Sequence, residues 1–228
     1  MLKTFEDFAA DERANDMYIT GAAGTGKTTS LRQITDTLNE EEYVVCAFTH
    51  KAKGILASKG IKNTMTLHSL LKKRPSVNTN ATNIKQVQLN IVMGKTNVTP
   101  TFVFIDEFSM VGEKDLMDLR SLQDGMDQPF KVVWLGDTNQ LPPVGDQFTI
   151  KPGGKYSVKL TKQYRNDNPL QKPLNALISM INGAPLKPLE AVDRFFIRNK
   201  DIVKSYIESC TEDKVLLAYT NKRVQELN

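Results

Sequence analysis

The chain has 228 residues, of which 40% are hydrophobic and 25% charged, enough to bury one sizeable core and part of a second. No apolar run is long enough to span a bilayer, and the acidic start, Met1 to Asp16, lacks the basic-then-apolar layout of a secretory leader; the expected compartment is the cytoplasm. Cys46 and Cys210 lie far apart in no metal-ligand spacing, which speaks against a disulfide framework and leaves two reduced thiols.

Net charge is +4, a weak signal in total, but its distribution is uneven. After Glu42 no acidic residue occurs until Asp106, and the same stretch carries Lys51, Lys53, Lys59, Lys62, Lys72, Lys73, Arg74, Lys85 and Lys95. Solvated faces ordinarily mix both signs, so an acid-free stretch of this length points to a polyanionic partner, with chance clustering as the alternative on charge alone.

In chain order, Met17 to Thr20 reads as a short strand, followed by a glycine-rich turn and a helix from Lys27 to Leu38. Tyr43 to Phe48 is a β-branched strand, with a helix expected from Lys51 to Ser58. Thr101 to Ile105 and Lys131 to Leu135 are continuous apolar runs, the pattern of strands covered on both faces. This alternation predicts an α/β fold around a parallel sheet. Residues 72–100 break it: rich in Asn, Thr and Lys, with alternation at Val87 to Ile91, they fit an inserted β-hairpin or small subdomain, and equally a surface loop. A connector runs from Asn182 to Pro188, then a helix-like stretch from Asp201 to Cys210, an apolar strand from Val215 to Tyr219 and the start of a helix toward Asn228.

Gly21-Ala22-Ala23-Gly24-Thr25-Gly26-Lys27-Thr28, continued by Thr29, matches G-x-x-x-x-G-K-[ST] between a strand and a helix. Glycines let backbone N–H groups converge on phosphate oxygens, and the helix N-terminus favours the anion. Lys27 is then placed for the β- and γ-phosphates of ATP and Thr28 for Mg²⁺. Phe104-Ile105-Asp106-Glu107 ends an apolar strand in two carboxylates, Asp106 for the metal and Glu107 as general base toward water. Trp134 to Val144 ends another strand in a turn presenting Asp137 and Gln140, whose amide can donate to a γ-phosphate oxygen and accept from water; Pro142 and Pro143 stiffen the chain beyond that turn. Arg165, after Gln163-Tyr164, is a candidate arginine finger or a plain surface ion pair.

In this order the elements resemble superfamily 1 helicases of the RecD/Dda-like 5′→3′ branch. GAAGTGKTT, FIDEFSM, WLGDTNQLPPV and LTKQYRN are similar to the family's motifs I, II, III and the first arginine-finger motif. Phe48 to Lys53 resembles motif Ia, Thr64 to Ser69 the TxHS element, and Val215 to Asn228 the opening of the second RecA-like domain. The resemblance implies a RecA-like domain 1A at residues 1–72 and 101–182, a 1B pin or hairpin at 73–100, and a connector with the beginning of domain 2A at 183–228. It implies that Thr49, His50, Lys51, Thr66 and His68 touch single-stranded DNA, although His68 also fits a structural histidine. It implies duplex junctions as substrates and single-strand-binding or replication and recombination proteins as partners.

Two departures stand out. No glutamine precedes Gly21 to read adenine, and nothing resembles motifs V and VI. The expected function is therefore the N-terminal part of an ATP-dependent helicase motor, weakly active alone. The rival is a P-loop switch or recombination mediator that holds DNA without unwinding it.

Overall fold

The computed structural model describes residues 1–71, 100–126, 128–140, 150–164, 171–181 and 183–187, with residues 204, 207 and 208. The expected insertion, the double proline, Arg165 and the strand and helix start after Val215 lie outside the described residues, as does Cys210. Two compact units run Met1–Arg165 and Asn166–Asn228.

The first unit is built on strands β1 (Asp16–Gly21), β2 (Tyr43–Ala47), β3 (Thr64–Thr66), β4 (Phe102–Asp106), β5 (Lys131–Gly136) and β6 (Ser157–Leu160). They form one sheet in the order β3-β2-β4-β5-β1-β6, and every pairing is parallel. The apolar runs behave as their composition requires: β2 is buried at all five positions, and successive side chains go to opposite faces. Val45 joins Phe104, Val133 and Leu135 in one core layer, while Val44 and Cys46 join Val103, Ile105, Val132 and Trp134 in the other. Burial pushes the Cys46 thiol far up, so it is an apolar filler, as the sequence indicated.

Helices cover both layers: α1 (Leu2–Ala10), α2 (Lys27–Thr35), α3 (His50–Ser58), α4 (Leu67–Leu70) and α5 (Glu113–Asp124). Helix α2 stops three residues before the expected Leu38. Its threonines explain this, because Thr35 Oγ1 donates to Arg32 O and Thr37 Oγ1 to Ile34 O, offering carbonyls a partner outside the helical ladder. Helix α1 was not apparent in the sequence. It buries Phe5 and Phe8, with Phe5 against Phe102 and Phe104, and the Lys131 ammonium closes its end by donating to the carbonyls of Phe8, Ala9 and Asp11 at 2.8–2.9 Å. The second unit contributes α6 (Gln171–Ile181), with Pro173 buried in its first turn, where a missing N–H costs nothing.

A polar knot fixes where β1, β5 and α5 meet. Asp16 accepts from Trp134 Nε1 at 2.7 Å and, with both oxygens, from Arg120 Nη2 at 2.8 Å. Trp134 is wholly buried, so its indole N–H has no water to turn to. Asp16→Ala strands that donor and one guanidinium; we expect a loss of about 2–3 kcal/mol in urea unfolding, with Asp16→Asn losing less.

Candidate functional site

Because all strands run the same way, their C-terminal ends share one edge, the place where ligands sit in open α/β sheets. β1 delivers Gly21 to that edge, and the chain turns through residues 22–26 into α2. Gly26, the N-cap, has φ of 92°, a left-handed conformation that a side chain would strain. The loop braces itself: Thr25 Oγ1 donates to Ala22 O at 2.8 Å, and Lys27 Nζ donates to Gly21 O at 2.6 Å and Ala22 O at 3.1 Å. Lys27 is 9% exposed, so this ammonium is held within the loop and not in open solvent. Tyr164 N donates to Gly24 O at 3.0 Å, which ties the segment after β6 to the loop.

β4 lies one strand away from β1, with β5 between; Asp106 pairs with Leu135, and Leu135 with Ile19. This register brings Asp106 and Glu107 to the wall facing the loop. Burial first, and the Glu107 carboxylate second, push Asp106 up to about 6. Glu107 adopts φ 59°, ψ 52°, uncommon for a residue with a side chain. Its Oε2 is buried and has no hydrogen-bond partner in the structure. Two crowded carboxylates, one oxygen of them unsatisfied, form an oxygen donor set that a hard divalent cation would complete, and Thr28 lines the same cleft.

That cleft has a volume of about 660 Å³. It gathers the expected residues Ala23 to Thr29, Asp106 and Glu107. It also includes residues that sequence reasoning gave no role, among them Lys59 and Ile55 from the α3 side, and Tyr164. Lys59 offered no signal beyond its place in the basic stretch. Tyr164 stood beside the candidate finger, and its ring is near Gly26, with the residue 66% exposed. Arg165 itself is outside the described residues.

Gln140 does not line the cleft. It is exposed, its Oε1 accepts from Ser109 Oγ at 2.9 Å, and Asp137 shapes its turn by accepting from Asn139 N at 3.0 Å. Asp137 is therefore spent within its own turn.

The expected DNA-contact residues divide. Thr49, His50 and Lys51 lie at the start of α3, with His50 and Lys51 exposed, and Thr49 caps the helix by accepting from Ala52 N at 3.1 Å. Thr66 is 5% exposed, and its hydroxyl is engaged with Ser69 N at 3.1 Å and Ser69 Oγ at 2.6 Å. His68 packs its ring edge-on to Phe48 at 5.2 Å and sets Nε2 3.9 Å from Asp115 Oδ1, leaving 41% of its side chain exposed. Its packing is that of a structural histidine with one open face.

The fold has counterparts among known proteins. A family described as "AAA domain" matches residues 3–195. An uncharacterised protein of Acanthamoeba polyphaga mimivirus is 33% identical over 57% of this chain and 29% of its own length. The ATP-dependent DNA helicase dda of phage T4 is 28% identical over 96% of this chain and 52% of its own. The crystal structure of Pif1 helicase from Bacteroides with ADP-AlF3 and single-stranded DNA superposes with a TM-score of 0.57 at 21% identity, covering 99% of this chain and 55% of that one. The chain thus spans about half the length of the helicases it matches, and less of the mimivirus protein.

The Asp106 carboxylate carries a pH signature. The unfolded Asp106 titrates near its ordinary 3.8 and the folded one at about 6, so between those values the folded state holds the extra proton and stability falls as pH rises. Asp106→Asn removes that ionisation. In chelator at pH 8 we expect the variant to exceed the parent by about 2–3 kcal/mol in urea unfolding, with the gap closing below pH 4.

Proposed function

This chain belongs to the AAA domain family, and from that premise we propose that it is the ATP-binding part of a DNA helicase motor of the superfamily 1, 5′→3′ branch. The observation that supports this most directly is the cleft itself. A P-loop lysine and the N-terminus of α2 face Asp106 and the unsatisfied Oε2 of Glu107 across one edge of a parallel sheet.

Each residue has a physical part. The turn before α2 presents backbone N–H groups to the phosphates, and Lys27 exchanges its loop carbonyls for β- and γ-phosphate oxygens. Thr28 and Asp106 would hold Mg²⁺, which when bound neutralises charge on the phosphates. Glu107, with a free acceptor oxygen, orients the attacking water and takes its proton. By family resemblance Gln140, outside the described cleft lining, reaches the terminal phosphate through its amide once nucleotide is bound, and Arg165 supplies transition-state charge. The exposed ring of Tyr164, beside the loop, suits stacking on a nucleobase and offers a contact that does not depend on an upstream glutamine.

DNA enters through the acid-free stretch. Thr49, His50 and Lys51 sit at a helix N-terminus, where hydroxyl, imidazole and ammonium groups meet a phosphate or base and the helix dipole favours an anion. The similarity to the T4 and Bacteroides helicases supports the nucleotide and DNA, the Bacteroides structure the single-stranded form; the polarity rests on the resemblance of the sequence motifs. A switch that binds DNA without unwinding it would share the cleft but not displace a strand.

Three outcomes test the reading. Strand displacement by the complete gene product on tailed duplexes should succeed with a 5′ tail and fail with a 3′ tail; release from neither leaves the switch. Lys27→Ala should abolish nucleotide binding, whereas Glu107→Gln should bind ATP normally and lose at least about 100-fold in turnover. Lys51→Ala should weaken single-stranded DNA binding alike for all sequences and lower the salt slope by about one, as expected for one phosphate contact.

A further inference from the structure

Ser109 has no part in the chemistry above, yet it is 7% exposed and spends its hydroxyl proton on Gln140 Oε1. Both partners are held. Ser109 lies in the 3-10 turn Phe108–Met110 directly after Glu107, closed by Met110 N to Glu107 O and Val111 N to Phe108 O at 3.0 Å. Phe108 beside it presses on the end of β5: a Cβ on Gly136 would meet its ring at 2.7 Å, so only glycine admits this approach. Gln140 is fixed from the other side, its N–H donating to Asp137 O at 3.2 Å.

A side-chain amide has one accepting and one donating pole. With the oxygen accepting from a buried hydroxyl, the NH₂ lies on the other arm of the amide fork. We propose that Ser109 is the positioning residue for Gln140: it holds the amide oxygen toward the turn after Glu107, so that the NH₂ is the pole Gln140 offers to the nucleotide. The NH₂ pole suits an anion, so the species registered is the terminal phosphate. This rests on Gln140 being the phosphate sensor, and it gives that sensor one polarity. It also joins the sensor to Glu107, two residues from Ser109, so the group that polarises water and the group that reads phosphate share one bracket.

The test is equilibrium binding of fluorescent ADP and AMP-PNP, with Mg²⁺, to the 228-residue chain and its variants. Gln140→Ala should weaken AMP-PNP about tenfold and leave ADP unchanged, the effect of one charge-assisted hydrogen bond. Ser109→Ala should cost about fivefold on AMP-PNP alone, Ser109→Thr should return to within about twofold of the parent, and the double variant should be no worse than Gln140→Ala, because the two act as a unit. An unchanged ratio in Ser109→Ala, equal losses for both nucleotides, or losses that multiply in the double variant would each overturn the proposal. Failure of the underlying readings looks different: a parent chain that binds neither nucleotide removes the ATP site, and an unchanged ratio in Gln140→Ala removes the sensor and this proposal with it.

Discussion

The parallel direction of all six strands is the constraint on which the rest depends. Parallel neighbours require crossovers, and helices α2, α3 and α5 lie on those from β1 to β2, β2 to β3 and β4 to β5. Each turn that carries the site is therefore the end of a strand, and every such end lies on the same side. Gly21, Ala47, Thr66, Asp106 and Gly136 are the last residues of five different strands. Segments far apart in the chain become neighbours without any special device.

That edge is electrostatically unbalanced, and the imbalance is local. Away from the cleft, Asp16 answers both Arg120 and Trp134, and Lys131 satisfies three carbonyls. At the cleft, by contrast, an aspartate is pushed to about 6 by burial and by a like charge, and a glutamate oxygen has no donor. A fold that completes its hydrogen bonds in one place and leaves them open in another marks where the partner belongs. The positive φ of Glu107 belongs to the same pattern, strain held where chemistry is done.

Much of this was legible in residue order, for reasons particular to each segment. The P-loop is readable because its function is a backbone shape, and glycines at fixed spacing specify that shape directly. The strands at 102–106 and 131–136 are readable because double-sided burial demands unbroken apolar runs. Helix α1 is not, since only Phe5 and Phe8 of its nine residues are buried and its charges read as a solvated tail. α5 hides for the same reason, with Leu119, Leu122 and Gln123 the buried positions among twelve. Thr66 carries a part that residue type alone did not show: its hydroxyl caps a helix, and capping is visible only once the helix start is placed. Ser109 and Gln140 stand 31 residues apart and meet only through strand order.

Helix α3 gives the two halves of the edge a common body. Its first turn and cap carry Thr49, His50 and Lys51, and further along the same helix Ile55 and Leu56, with Lys59 just past its end, form part of the nucleotide cleft. Nine residues of α-helix are about 13 Å long and do not bend appreciably over that length. Such a rod cannot yield at one end without the other end registering it. One short, stiff helix thus carries both an exposed basic end and part of the cleft wall.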